Sequence, residues 1–295
     1  MTIRKTLSMK PEFKNLILTL WLCLLASSHA IANVELRVCA DPDNLPFSNQ
    51  EQQGFENKIA AVLAEDMHAT LSYTWMKQRQ NFFRQTLGAQ RCDLVIGVPK
   101  DFGRVLTTQP YYRSSYVLVT QNSRNLKIKS YDDPILRGLK IGVHAIGNDG
   151  SNSPPAVALG RHGLAKNIIG FSMWGVGSIK NPQGQVVAAV AKGEIDAAIV
   201  WGPFGGYFAS QYGDSLTIVP APTDLSMPEM LFAYDISMGV RKGETEFVEK
   251  LEKSIKRNQD KIDKILLDYH IPVSHSDVSK TQLISGSVEL SSKKG

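Results

Sequence analysis

The sequence predicts an α/β fold of two similar lobes that enclose a cleft. An apolar phrase after an acidic residue occurs twice, as CDLVIGVP at residues 92–99 and as GEIDAAIVWGP at residues 193–203. Each phrase closes a β-α-β-α-β succession of periodic segments. Continuous apolar strands of this kind are typical of parallel sheets that are covered by helices on both faces.

The first half supplies one such succession. Residues 34–40 alternate in hydropathy and are predicted as a strand. Residues 54–67 place their apolar side chains on one face of a helix. A strand at 71–75, a helix at 81–87 and a buried strand at 93–98 complete the half.

The second half repeats the order. Its predicted elements are a strand at 140–143, a helix at 155–161, a strand at 168–171, a helix at 183–192 and a strand at 197–201. In both halves the second helix ends at a glycine shortly before an aspartate that opens a buried strand. We therefore expect two lobes of the same design.

The C-terminal part is predicted to return to the first lobe. It reads as a strand at 236–240 and one long helix at 244–269, which Pro272 ends. Segments near 116–120 and 233–238 are predicted as two strands that cross between the lobes.

These assignments give domain boundaries. We expect lobe 1 to comprise residues 33–117 and 236–275, and lobe 2 residues 118–235. The polar, serine-rich residues 276–295 are predicted as a disordered tail.

The N-terminus has the pattern of a signal peptide over residues 1–32. A basic start precedes the apolar run LILTLWLCLLA, and small residues stand before a predicted cut after Ala32. The apolar run is shorter than the roughly 20 residues that a membrane-spanning helix needs, so export without a membrane anchor is expected. Cleavage removes four basic residues and one acid, which lowers the formal charge from +5 to +2. A nearly neutral chain gives no indication of nucleic-acid binding.

Two of the three cysteines, Cys39 and Cys92, lie beyond this segment. In an exported protein an even count favours a disulfide. Each cysteine stands beside a predicted strand of the same half, so a bond between them is feasible. The alternative is a pair of buried thiols.

Several phrases resemble periplasmic solute-binding proteins of the class that serves amino-acid importers. They are LPF at 45–47, GFENKIA at 54–60 and TQPYY at 108–112. This resemblance implies the two-lobed periplasmic-binding-protein fold of the class II type, with two hinge-crossing strands.

A closer resemblance is to the methanol-oxidation accessory proteins of the MxaJ/XoxJ family. It rests on RVCADPDNLPFSNQ at 37–50, RVLTTQPYYRSSYV at 104–117, VWGPFGGYFA at 200–209 and YDISMGVRKG at 234–243. The resemblance implies a periplasmic protein that binds a PQQ-dependent (quinoprotein) methanol dehydrogenase and assists its maturation or activity. The alternative is the solute-binding component of an ABC importer for a small organic solute.

The cleft is predicted to have an aromatic wall. An amino-acid binder needs an arginine for the carboxylate and an acid for the ammonium group. By the resemblance, Trp201 stands where that acid is expected, which disfavours simple amino-acid binding. Core packing is the alternative for the aromatic side chains. The candidate cleft residues are Asp41, Asn44, Phe47, Arg79, Arg104, Tyr111, Trp174, Trp201 and Phe204.

The sequence gives little support for catalysis. It contains no Gly-x-Ser-x-Gly elbow, and His144, His162 and His270 are scattered without metal-ligand spacing. No dinucleotide fingerprint follows the first strand. We therefore expect a binding protein that uses no cofactor or metal.

Overall fold

The computed structural model describes residues 34–145, 152–174 and 180–273. The predicted signal peptide and disordered tail lie outside these residues. No helix in the described ranges is long and apolar enough to cross a membrane.

Short strands and helices alternate along the described chain. The strands are β1 (Glu35–Ala40), β2 (Asp43–Asn44), β3 (Ser48–Asn49), β4 (Thr70–Trp75), β5 (Val95–Pro99), β6 (Leu106–Thr107), β7 (Tyr112–Gln121), β8 (Ile141–Ala145), β9 (Ile168–Ser172), β10 (Ala197–Trp201), β11 (Leu216–Pro220) and β12 (Ala233–Val240). The α-helices are α1 (Phe55–Asp66), α2 (Phe82–Gln85), α3 (Pro154–Arg161), α4 (Gln185–Ala191), α5 (Gly202–Ser210), α6 (Thr245–Arg257) and α7 (Gln259–Asp268).

Lobe 1 is the part built on β1, β4, β5 and β12. Strands β1 and β4 are parallel, Val38 of β1 bridges Leu94 beside β5, and β12 runs antiparallel to β5. Helices α1, α6 and α7 cover this sheet, and their apolar stripes join its core. The C-terminal helices therefore pack on the sheet of β1, β4, β5 and β12.

Lobe 2 is the part built on β8, β9, β10 and β11. Strand β8 pairs in parallel with both β9 and β10. Along β10, Ile199 packs into the core on one face and Ala198 and Val200 pack into the core on the other. The continuous apolar run is explained by this double burial.

Strand β7 belongs to both sheets. Its residues 112–115 pair with β12 of lobe 1, whereas residues 116–120 pair with β10 and residues 117–121 with β11 of lobe 2. The chain returns beside it, where the Tyr116 amide donates to the Phe232 carbonyl over 2.8 Å just before β12 begins. Two strands thus cross between the lobes.

The C-terminal helical segment differs from the single helix that the sequence predicted. It consists of α6 and α7, separated at Asn258. The backbone of Asn258 leaves the helical region, and its side-chain amide donates to the Ser254 carbonyl over 2.9 Å. The apolar spacing continues through the break, which is why periodicity alone did not reveal it. Helix α2 is also shorter than predicted, and β11 was not predicted.

The end of α7 packs closely against lobe 2. A Cβ atom at Gly206 of α5 would lie 1.9 Å from the carbonyl oxygen of His270. Only glycine permits this approach of the two backbones. Tyr269 adds a stacked ring contact with Tyr207, with centroids 5.9 Å apart.

Cys39 and Cys92 form a disulfide in lobe 1, with Cα atoms 5.4 Å apart. Both residues are buried beside Phe82 and Val95. The bond links the end of β1 to the segment before β5, across 53 residues of sequence.

We expect the Cys39→Ala/Cys92→Ala variant to lose about 2–4 kcal/mol of unfolding free energy, because the bond restricts a long loop of the unfolded chain. Urea unfolding of the oxidised protein and the variant measures this difference. Reduced wild-type protein is the control and should unfold near the variant's midpoint. Equal midpoints for the oxidised protein and the variant would contradict the expectation.

Lobe 2 contains a histidine held between two acids. His162 Nδ1 lies 2.7 Å from Asp132 Oδ1, and its Nε2 lies 3.3 Å from Asp224 Oδ2. The hydrogen bond to Asp132 is the main cause that raises the pKa of His162, although partial burial opposes it.

This contact predicts a pH dependence of stability. A raised histidine pKa stabilises the fold fully below the unfolded value of about 6.5, and the gain is lost as pH rises through the folded pKa. Between pH 6.5 and that higher value, wild type should lose about 1 kcal/mol or less relative to His162→Gln. Melting temperatures over this window measure it, with exposed His68→Asn as the control. Parallel profiles for wild type and His162→Gln would contradict the assignment.

Candidate functional site

A cavity of about 440 Å³ lies between the two lobes. Among the residues that the structure describes, six aromatic side chains line it: Phe47, Tyr112, Tyr116, Trp201, Phe204 and Tyr234. Its polar lining comes from Asn44, Glu56, Gln78, His144 and Ser153. The volume is within the range of small-ligand pockets, roughly 300–1,000 Å³.

Trp201 forms the wall at the carboxyl end of β10. Antiparallel pairing places it opposite Tyr116 of β7. Its ring meets Tyr116 and Tyr234 edge to face, with centroids 5.4 and 5.7 Å apart. We call these three residues the tryptophan cluster.

Phe47 and Phe204 join the lobes on another side of the cavity. Their ring centroids are 5.1 Å apart in an edge-to-face arrangement. Phe47 stands between β2 and β3, and it also contacts Phe55 at the start of α1. His144 of β8 meets Phe204 at 5.1 Å. An apolar contact therefore spans the cleft.

Gln183 makes a polar contact between the lobes. Its side-chain amide donates to the Asp43 carbonyl over 3.0 Å and to Asn44 Oδ1 over 3.3 Å. The backbone carbonyl of Gln183 accepts a hydrogen bond from His144 Nε2 over 2.8 Å. Burial lowers the pKa of His144 to about 4 against the opposing effect of this bond, so the imidazole is neutral at pH 7.

Arg79 and Trp174 make a third contact between the lobes, beside the cavity. The guanidinium carbon of Arg79 lies 4.9 Å from the centroid of the Trp174 ring. This distance is within the range of a cation–π interaction. The two candidates thus meet each other without lining the cavity.

Glu56 brings an acid into the cavity, and sequence reasoning missed it. It lies in the first turn of α1 and is only 8% exposed. Burial raises the pKa of its carboxyl to about 8. A Cβ atom at Gly97 of β5 would lie 2.1 Å from Glu56 Oε1, so the glycine makes room for the carboxyl group.

Four of the predicted cleft residues line the cavity: Asn44, Phe47, Trp201 and Phe204. Trp201 is the last residue of β10 and Phe204 follows it, whereas Asn44 and Phe47 lie in the segment after β1. Ligand contacts are expected at this position in α/β folds. The strand-end argument therefore located part of the cavity wall.

Three other candidates lie elsewhere. Asp41 is buried and accepts backbone N–H groups of Asp43 and Gln78 over 2.9 and 2.7 Å, which holds the loop after β1 in place. Tyr111 lies in the lobe 1 core, where its hydroxyl donates to the Ile96 carbonyl over 3.2 Å. Arg104 is exposed on a different surface and does not reach the cavity.

These positions correct the expected electrostatics. Trp201 lines the cavity from lobe 2 with an aromatic ring, and Glu56 supplies a carboxyl group from lobe 1. No lysine or arginine is among the described residues that line the cavity. The carboxylate of an amino acid would therefore lack a cationic partner among these residues.

The missed aromatic residues had a weak signal in the sequence. Tyr112, Tyr116 and Tyr234 belong to the two strands that cross between the lobes. Side chains of crossing strands border the space between the lobes, so these tyrosines could have been added to the candidates. Within the described ranges, no group of three or more His, Cys, Asp or Glu residues is placed to hold a metal ion.

We expect Glu56→Gln to stabilise the protein at pH 8. A folded pKa of about 8 against an ordinary value of 4.5 means that wild type loses stability as pH rises between these values. The variant removes this effect, on the order of 2–4 kcal/mol at pH 8 and little at pH 4.5. Urea unfolding across this window measures it. Glu65→Gln, an exposed change on the same helix, should leave the pH profile unchanged. If the unfolding free energy of Glu56→Gln depended on pH in the same way as that of wild type, the assignment would be contradicted.

Comparison with known proteins places the chain in a family. Residues 36–270 match the model for bacterial extracellular solute-binding proteins, family 3. The protein MoxJ of Methylorubrum extorquens AM1 is 30% identical over 81% of this chain and 81% of its own length. MoxJ of Paracoccus denitrificans is 30% identical over 84% of this chain and 92% of its own.

Solved structures agree with this placement. The periplasmic binding protein XoxJ from Methylobacterium extorquens AM1 is 33% identical, with a TM-score of 0.66 over 81% of this chain and 99% of its own. MxaJ from Methlophaga aminisulfidivorans MPT is 26% identical, with a TM-score of 0.71 over 81% of this chain and 100% of its own. An ancestral cationic amino-acid binding protein, 19% identical with a TM-score of 0.61, shares the fold. The chain therefore belongs to the family-3 bacterial extracellular solute-binding proteins, with MoxJ, MxaJ and XoxJ among its relatives.

Proposed function

We propose that this protein is a periplasmic accessory factor of methanol oxidation. It binds a PQQ-dependent methanol dehydrogenase and assists the maturation or activity of that enzyme. The similarity to MoxJ, MxaJ and XoxJ over most of the chain supports this role. Export through a signal peptide cleaved after Ala32 is part of the proposal.

The tryptophan cluster is the observation that carries the proposed binding site. Tryptophan and tyrosine are common anchors of protein interfaces because they bury a large area while losing few rotatable bonds. Trp201 is partly exposed toward the cavity, so its ring has surface left for a partner to cover. A segment of the dehydrogenase that inserts a side chain here would bury that surface.

Entry of a protein segment requires the lobes to separate. The Phe47–Phe204 contact and the Gln183 hydrogen bonds close part of the cleft. The crossing strands β7 and β12 supply a two-stranded hinge for this motion. Binding that favours one lobe arrangement over another would couple recognition to a change in the dehydrogenase.

The role proposed is recognition rather than chemistry. Relatives in the family are solute-binding proteins, which supports a non-catalytic function. A second candidate is the solute-binding component of an ABC importer. The cavity volume of about 440 Å³ favours it, because that space suits a small organic molecule.

We expect Trp201→Ala to weaken binding of the dehydrogenase at least about tenfold, since loss of an interface anchor typically costs more than 1 kcal/mol. Biolayer interferometry with the dehydrogenase purified from the same organism measures the change. Leu267→Ala removes an apolar side chain that is 73% exposed on α7, and it should bind like wild type. Melting temperatures of both variants verify folding. Wild-type affinity for Trp201→Ala, or equal losses in both variants, would place the partner elsewhere.

A further inference from the structure

Glu56 is the charged group that the accessory role leaves unused. The residue is only 8% exposed, and the carboxyl group of such a buried acid usually accepts hydrogen bonds or pairs with a cation. Among the described residues, none donates a hydrogen bond to the Glu56 carboxylate, and burial alone accounts for its raised pKa. The group nevertheless reaches the cavity surface. A positively charged ligand in the cavity would therefore find an acid there with which to pair.

The groups that face Glu56 supply no positive charge. They are the phenols of Tyr73 on β4, Tyr111 beside β7 and Tyr112 on β7, with Tyr269 at the end of α7 contacting the adjacent Phe55. Burial raises the pKa of Tyr112 well above its ordinary value, so this phenol is neutral at pH 7. His144 across the cavity is also neutral. The N-terminal end of α1 offers only a partial positive charge.

The rest of the cavity wall suits an organic cation. The ring of Trp201 meets the rings of Tyr116 and Tyr234 edge to face, and all three residues line the cavity. Aromatic faces attract ammonium groups, and the attraction increases when water is excluded. A hydrated metal ion is a poor match, because one carboxyl group among aromatic rings cannot replace several oxygen ligands. A zwitterion would leave its carboxylate without a cationic partner among the described lining residues.

We propose that the cavity between the lobes binds a small organic ammonium ion, with the Glu56 carboxylate as its counter-charge and the tryptophan cluster as its aromatic wall. This binding activity goes beyond the accessory role and does not depend on it. The ligand would hold the lobes together by contacting both, since Glu56 belongs to lobe 1 and Trp201 to lobe 2.

Gly97 has a positioning role in this site. A Cβ atom there would overlap Glu56 Oε1 at 2.1 Å, so Gly97→Ala pushes the carboxyl group away from β5. Glu56 is the end of a flexible side chain, which allows the displacement without breaking the strand. This variant keeps the acid in the protein but moves it.

The proposal predicts a link between binding and protonation. The free protein holds Glu56 largely protonated at pH 7, because its pKa is about 8. A cation binds the ionised form, so binding at pH 7 releases a proton into the buffer. The affinity should rise up to tenfold per unit of pH below 8 and level off above it.

Calorimetry and tryptophan fluorescence of the purified protein, without dehydrogenase, test this inference. The probes are choline, its neutral isostere 3,3-dimethylbutan-1-ol and the zwitterion glycine betaine. We expect choline to bind at least about tenfold more tightly than either comparison compound, a difference of about 1.4 kcal/mol. Titrations in buffers of different ionisation enthalpy should detect the released proton.

Variants separate the charge from the apolar cavity. Glu56→Gln should weaken choline binding at least about tenfold and abolish its pH dependence. Gly97→Ala should also weaken choline binding. Glu65→Gln on the exposed face of α1 should bind like wild type. Absence of binding by choline, tetramethylammonium and butylammonium at millimolar concentration would overturn the proposal. Equal binding of the neutral isostere, or wild-type affinity in Glu56→Gln, would overturn it as well, and neither result bears on dehydrogenase binding.

Discussion

The shared strand β7 is the constraint on which the rest of the structure depends. One backbone segment completes the sheet of lobe 1 with residues 112–115 and the sheet of lobe 2 with residues 116–121. The register of both sheets is therefore set along a single strand. This register places Tyr112 and Tyr116 at the border of the lobes, where both line the cavity. The aromatic wall is a direct result of this topology.

The cavity combines two kinds of surface that have opposite effects on the stability of the fold. Trp201 makes an edge-to-face contact with Tyr116, and Phe204 makes one with Phe47. These contacts contribute packing energy to the closed arrangement. Glu56 does the reverse, because none of the described residues donates a hydrogen bond to its buried carboxyl group, and such a group is costly to ionise. Functional sites commonly contain such groups, whose cost to folding is offset when a ligand binds.

Local patterns were sufficient to predict most of the fold. Apolar runs bounded by glycine identify β10 to the residue, and the duplicated order of elements indicates two lobes. The break at Asn258 escaped because the apolar stripe of the two helices is continuous across it. Within the site, Trp201 ends β10 and Phe47 lies in the segment after β1, and both positions were predictable because ligand contacts are expected at strand ends. Glu56 was not, because its burial depends on the missing side chain of Gly97, a residue distant in sequence. Arg104 was misplaced because residue type alone does not tell which surface a loop faces.

The division of the chain also affects the order of assembly. Lobe 2 is continuous in sequence, so all its strands except the shared one arise between the two crossings. Lobe 1 is split, and β12, α6 and α7 come last. The two parts of lobe 1 must come together across the whole of lobe 2 before the sheet of lobe 1 is complete. A chain that folds from its N-terminus onward can therefore complete lobe 2 while lobe 1 still lacks its final strand. The edge of β5 stays unpaired until β12 has been added.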